Sequence, residues 1–231
     1  MGIDRIEIDG QTAAAEDKMY FVLNKVRGVV TTASDEHGRA TVYDSLPASP
    51  SGQAASSHMT SWIAPVGRLD KASEGLLLMT NDSEWAARIT APESHLDKTY
   101  HVQIAAVADD VVLEKLRNGI QNRGETLAAK RASLLRTGQK NSWVEIVLDE
   151  GKNRQIRRML ESLGIEVLRL IRVSIGRLTL GDLQRGALRQ LTPSEKASLD
   201  SALAERGSRE KHRTPRQLAN RSANLYRNPH V

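Results

Sequence analysis

Gly67-Arg68-Leu69-Asp70-Lys71-Ala72-Ser73-Glu74-Gly75-Leu76-Leu77-Leu78-Met79-Thr80-Asn81-Asp82 sets an Arg-Leu-Asp triplet in front of an unbroken apolar run, Leu76 to Met79. The run is short and is bounded by Gly75 and by Asn81-Asp82, so it reads as a buried strand. Asn81 followed by Glu84 resembles a capping box, which predicts a helix through Trp85 and Ile89. A second strand is expected from Ala64 to Leu69. Asp70 then stands on a loop between two strands, where a rigid sheet can hold a carboxylate for chemistry. The plain alternative is a turn aspartate that satisfies its own backbone, and local spacing alone favours that alternative.

Outward from this stretch, Met19 to Leu23 predicts a strand, with a turn over Asn24 to Gly28 and a return over Val29 to Thr32. Ile3 to Gln11 alternates and turns at Asp9-Gly10, as a strand and hairpin turn would. Ser45 to Ser61, rich in Ala, Ser and Pro, reads as a loop in which His58 is exposed and idle. Lys98 to Ile104 predicts a strand with Tyr100, Val102 and Ile104 on one face. A short helix follows over Val111 to Arg117, closed by Gly119. Strands are expected within Ile120 to Arg136 and over Trp143 to Leu148. Leu168 to Ile175 predicts a half-buried strand whose Arg169 and Arg172 form a basic outer face. Thr192-Pro193-Ser194-Glu195 is a capping box that opens a last helix ending near Gly207.

Glu150-Gly151-Lys152-Asn153-Arg154-Gln155-Ile156-Arg157-Arg158-Met159 predicts a helix capped by Asn153 and closed by Gly164. Ile156, Met159, Leu160 and Leu163 recur at helical spacing as a buried stripe. With about 100° between successive residues, Arg154 and Arg158 face away from the stripe. Arg157 lies on its flank and can reach inward to a carboxylate.

The 231 residues suffice for one large domain or two small ones. The sequence has no cysteine, hence no disulfide and no thiolate metal site. It has no apolar run of membrane-spanning length and no hydrophobic signal segment, so a soluble, cytoplasmic protein with no membrane association is expected. The net charge is +5, which suggests a polyanionic partner. Gly207 to Val231 carries six Lys or Arg and one acid, leaving 27 basic and 27 acidic residues in the rest. A neutral body binds nucleic acid only through a patterned basic face. Aromatics make up 3% of the chain, which argues against a multi-ring stacking platform.

Gly-Arg-Leu-Asp followed by Ser-x-Gly-Leu-Leu-Leu-Met-Thr-Asn-Asp resembles the central motif of the RsuA-like pseudouridine synthases, a group that includes the RluB, RluE and RluF enzymes. Lys98-Thr99-Tyr100 and Glu150 to Met159 resemble two further motifs in the same order, and the likeness runs from about Tyr20 to Thr192. It implies an α+β pseudouridine synthase fold: a mixed, largely antiparallel central sheet with peripheral helices and a central cleft. It divides the chain into an N-terminal strand and turn remnant of an RNA-binding module (1–17) and a catalytic domain (18–206); the basic, polar tail (207–231) has little to pack and is expected to be disordered. It implies an isomerase that converts a uridine of ribosomal RNA, large-subunit RNA before small, to pseudouridine without a cofactor or metal. Asp70 would be the catalytic carboxylate, as nucleophile or as base. Arg157 would pair with Asp70, Arg68 would help hold the flipped nucleotide, Tyr100 would stack on the uracil, and Ile156 would wall the pocket. Lys25, Lys98, Lys152, Arg154 and Arg158 are candidates for the RNA backbone. For Lys25 a solvated turn lysine is the preferred reading. The expected partner is ribosomal RNA, free or in an assembling subunit, and the expected state is a monomer. Two alternatives remain: a non-catalytic RNA-binding assembly factor on the same scaffold, and a glycoside hydrolase, which would need a second placed acid.

Overall fold

The computed structural model describes residues 7–8, 11–12, 17–32, 35–44, 46 and 63–211. Strands β1 (Glu7–Ile8) and β2 (Gln11–Thr12) pair antiparallel. They are followed by β3 (Tyr20–Lys25), β4 (Ala64–Val66) and β5 (Glu74–Thr80). Helix α1 (Ser83–Thr90) precedes β6 (Lys98–Ile104) and α2 (Asp110–Asn118). Next come β7 (Ile120–Asn122), β8 (Glu125–Leu127), β9 (Arg131–Thr137) and β10 (Ser142–Leu148). Helix α3 (Gln155–Ser162), β11 (Val167–Ile175), β12 (Leu178–Thr179), β13 (Leu188–Gln190) and α4 (Pro193–Lys211) complete the order.

The main sheet runs β13-β3-β5-β11-β6-β10-β9, with β12 on β11 and β4 on β5. All its pairings are antiparallel except β5 with β11. This is the expected mixed, largely antiparallel α+β fold.

Every residue of β5 is buried, because both faces of the strand are covered. Side chains alternate across a strand, so Leu76 and Leu78 join Val22, Trp85, Ile89 and Leu199 under α1 and α4. Leu77 and Met79 point the other way, to Leu23, Val42, Ile63 and Leu69. Further along that second face, α2 (Leu113, Leu116) and α3 (Ile156, Met159, Leu160) cover Val102, Ile104, Val144 and Ile146. Tyr100 packs against both of these second-face clusters, so it sits at their seam.

Several local expectations are corrected. Asp82, not Asn81, caps α1: its carboxylate accepts from the Trp85 N–H at 3.0 Å. The Asn81 amide oxygen instead accepts from the Met19 N–H at 2.8 Å, tying β3's start to β5's end. Arg154, not Asn153, is the cap residue of α3, and it holds a left-handed backbone at φ 47°. Val29 to Thr32 does not form a strand; only Val30 bridges, in parallel, to Thr41. Arg169 and Arg172 do not share an outer face. Their odd spacing puts them on opposite faces, and Arg172 is 5% exposed. The Thr192 capping box forms as expected, with Thr192 and Glu195 exchanging bonds at 2.9 and 3.2 Å, and α4 runs past Gly207 to Lys211. Among the described residues no helix is long and apolar enough to cross a membrane. The Asp9-Gly10 turn, most of the Ser45 to Ser61 loop with His58, and the tail beyond Lys211 lie outside the described residues.

Candidate active site

Asp70 is held through its backbone, and its side chain makes only long ion pairs. Gly67 leaves β4 at φ 71°, a left-handed turn that glycine adopts without strain. The Leu69 carbonyl and N–H both bond the Thr31 hydroxyl, at 2.8 and 3.3 Å. The Ser73 N–H closes a turn onto the Asp70 carbonyl at 2.9 Å. Lys25, fully buried at the end of β3, donates its ammonium to the carbonyls of Val26 (3.1 Å), Asp70 (3.2 Å) and Ser73 (2.9 Å). The two sequence readings of Lys25, solvated turn lysine and RNA-backbone contact, are therefore both overturned. Strand β3 delivers a cation beneath the Asp70 turn, where no phosphate reaches it.

Burial pushes the Lys25 ammonium down from its ordinary 10.5 to about 8, against the opposing pull of Asp70 and Glu74. Lys25→Met leaves three carbonyls without their donor. We expect a net loss of about 2 kcal/mol at pH 7 and slower turnover from a loosened turn. Between pH 8 and 10.5 the unfolded chain carries a proton that the folded one has released. Wild-type stability relative to Lys25→Met therefore rises with pH across that window. Denaturant unfolding of both proteins from pH 7 to 10.5 checks this, and a difference independent of pH would refute the buried-charge account.

The Asp70 carboxylate, 34% exposed, opens into a cavity of about 510 Å³. Arg154 Nη1 stands 3.5 Å and Arg157 Nε 3.9 Å from its Oδ2. Arg157 is the less exposed of the two, and its Nη2 donates to the Ala72 carbonyl at 3.1 Å, anchoring α3 to the same turn. Burial and the neighbouring Arg154 lower the Arg157 guanidinium's affinity for its proton, while Asp70 opposes them. Arg154 was expected to face outward. Its left-handed backbone ahead of α3 takes it off the helical wheel and turns it to Asp70.

Tyr100, Ile156, Arg68, Lys98 and Lys152 line the same cavity. Arg68 is exposed at its mouth. Lys98 Nζ donates to the Leu96 carbonyl at 3.1 Å, and Lys152 lies 3.2 Å from Glu150. Arg158 is withdrawn from the RNA-backbone set. It bonds Glu125 and, at 2.9 Å, the Asn122 side chain, stapling α3 to the β7–β8 hairpin. We expect Arg157→Ala to reduce product formation far more than Arg158→Ala, whose effect is a stability loss of about 1 kcal/mol. Steady-state kinetics beside thermal melting separates the two, and equal kinetic losses would count against this division.

Sequence reasoning missed Lys25 as a structural cation and Arg172 as a cavity residue. Strand parity could have found Arg172, because residues three apart on a strand do not share a face. No local pattern signals the fate of Lys25.

The fold and this cavity define a class. The model of the RNA pseudouridylate synthase family matches residues 19–162, and the chain belongs to that family of RNA-acting isomerases. It is similar to the ribosomal large subunit pseudouridine synthase B of Bacillus subtilis (strain 168), with 39% identity over 209 residues covering 89% of this chain and 81% of that protein. The ribosomal large subunit pseudouridine synthase E of Vibrio parahaemolyticus is 34% identical over 190 residues, covering 76% of this chain and 75% of its own. A crystal structure of a pseudouridylate synthase superposes with a TM-score of 0.67 at 33% identity, covering 80% of this chain and 75% of that one.

Proposed function

We propose that this chain isomerises a uridine of large-subunit ribosomal RNA to pseudouridine, with Asp70 as the catalytic carboxylate. The observation that carries the reading is the placement of Asp70. It sits on a turn pinned through its own backbone, with its side chain turned to a cavity that Arg154, Arg157 and Tyr100 share. The likeness to two enzymes named for the large ribosomal subunit supports that substrate.

In the reaction the bond between uracil N1 and ribose C1′ breaks, the base turns, and C5 bonds to C1′. Nothing is oxidised and no group enters. Asp70 acts on the sugar, by attack at C1′ or by removal of a ribose proton. Two guanidiniums stand within 4 Å of the Asp70 carboxylate. Tyr100 offers its ring to the flipped base, an extrusion that costs a few kcal/mol. Ile156 supplies an apolar wall. Arg68, Lys98 and Lys152 at the cavity meet the nucleotide's phosphates, which position without reading sequence.

The test is nucleoside analysis of ribosomal RNA fragments after incubation with the protein, read by chromatography because pseudouridine has the mass of uridine. Pseudouridine in a large-subunit fragment supports the proposal. Free uracil would instead mark a hydrolase, and tight binding without product would favour an assembly factor.

A further inference from the structure

Arg172 is a cavity residue to which the reading above gives no role. It lies on β11, 5% exposed, and lines the space that Asp70 faces. Its Nε donates to the Leu76 carbonyl at 2.7 Å, which fixes the plane of the guanidinium. Its Nη2 is buried and has no hydrogen-bond partner. Among the described residues no carboxylate pairs with it, whereas Arg169, three residues earlier, holds Glu74 at 2.9 Å. A guanidinium stays protonated in proteins, so this is a buried charge with no counter-charge of its own. Such a charge is costly unless something pairs with it.

Register says what could reach it. Arg172 is the cross-strand partner of Tyr100, and directly opposed residues place their side chains on one face about 5 Å apart at Cβ. Leu170, Ile156 and Ile175 line the same cavity. A flat base laid against Tyr100 therefore brings its edge to Arg172. A phosphate has exposed cations of the cavity lining, Arg68 and Lys152, available to it instead.

We propose that Arg172 contacts the extruded uracil and takes up the negative charge that develops on its carbonyl oxygens as the glycosidic bond breaks. This rests on the reading of the site given above. When N1–C1′ cleaves, the bonding pair stays with N1, and the resulting uracil anion spreads its charge to O2 and O4. A guanidinium N–H that donates to one of those oxygens is worth more to the anion than to the neutral base, so it lowers the barrier rather than merely tightening binding. When C5 then bonds to C1′, its proton leaves and N1 regains one, so the charge vanishes and product departs without carrying Arg172's counter-charge.

The test compares wild type, Arg172→Lys, Arg172→Gln and Arg172→Met under single-turnover conditions on a fragment that wild type modifies. The target nucleoside is either uridine or 5-fluorouridine. Fluorine at C5 withdraws electrons and makes the base a better leaving group, so it needs less help from a cation. Consumption of the nucleoside, RNA affinity and thermal melting are read together. On uridine RNA, Arg172→Met loses about 100-fold in rate, Arg172→Lys loses less, and affinity is unchanged. On 5-fluorouridine RNA the same deficit shrinks. Should Arg172→Met fail to fold, Arg172→Gln and Arg172→Lys carry the comparison, since both keep a polar end group while only one keeps the charge. Equal deficits on both RNAs, or a loss confined to affinity as a phosphate contact would give, overturns the assignment. A wild type that forms no pseudouridine overturns the functional reading and this assignment with it.

Discussion

Replacing Asp70 with Asn leaves the protein folded and reduces pseudouridine formation by at least about 10⁴-fold. The fold survives because the turn is held through main-chain atoms. The Asp70 carbonyl accepts from Ser73 N–H and from Lys25, and Leu69 is clasped by Thr31 on either side. The side chain contributes only two long ion pairs, at 3.5 and 3.9 Å, with one-third of its surface open to solvent. Asparagine has nearly the same shape, but it can neither attack C1′ nor take a ribose proton. Thermal melting within a degree or two of wild type, together with absence of product in chromatographed nucleosides, is the expected pair of results. Activity retained in Asp70→Asn would remove Asp70 from the chemistry altogether.

Gly75→Ala, in contrast, costs about 4 kcal/mol of stability, from left-handed backbone strain and from overpacking. Gly75 sits at φ 99°, and a Cβ there would collide with the Arg172 carbonyl oxygen and meet its nitrogen at 2.9 Å. This is the junction of β5 with β11, the parallel pairing of the main sheet, where Ile171 faces Glu74 and Arg172 faces Gly75. Neither neighbour is the movable end of a side chain, so the strands must part. Parting them also strains the Arg172 bond to Leu76. Activity therefore falls together with stability, unlike the Asp70→Asn result. Denaturant unfolding reads the cost directly, and a loss below about 1 kcal/mol would show that the two strands separate without penalty.

The legible parts of this protein were local ones. An apolar run between Gly75 and Asn81 has few options other than a covered strand, and it became β5 with both faces buried. The Ile156, Met159 and Leu160 stripe set the buried face of α3. The reciprocal Thr192 and Glu195 bonds followed from spacing alone. Cap assignments slipped by one residue, Asn81 for Asp82 and Asn153 for Arg154. Asn and Asp are interchangeable as caps in sequence, and the choice was made by Met19, which claimed the Asn81 side chain from a distant strand.

Apart from Arg157, whose helical position pointed it toward a carboxylate, the fates of the charges were not legible, and the site is made of charges. The sequence by itself determined that a carboxylate stands between two strands and that an arginine-rich helix follows, and the family likeness tied them to one cavity. Only the tertiary structure decided that Lys25 lies beneath the turn, that Arg158 is spent on Glu125, that Arg154 turns to Asp70, and that Arg172 lines the cavity with its Nη2 unpartnered. The physical reason is that a strand or cap is stabilised by neighbours a few residues away. The free energy of a cation depends instead on burial and on partners brought by distant segments. Lys25 meets Ser73 across 48 residues and Arg172 meets Leu76 across 96.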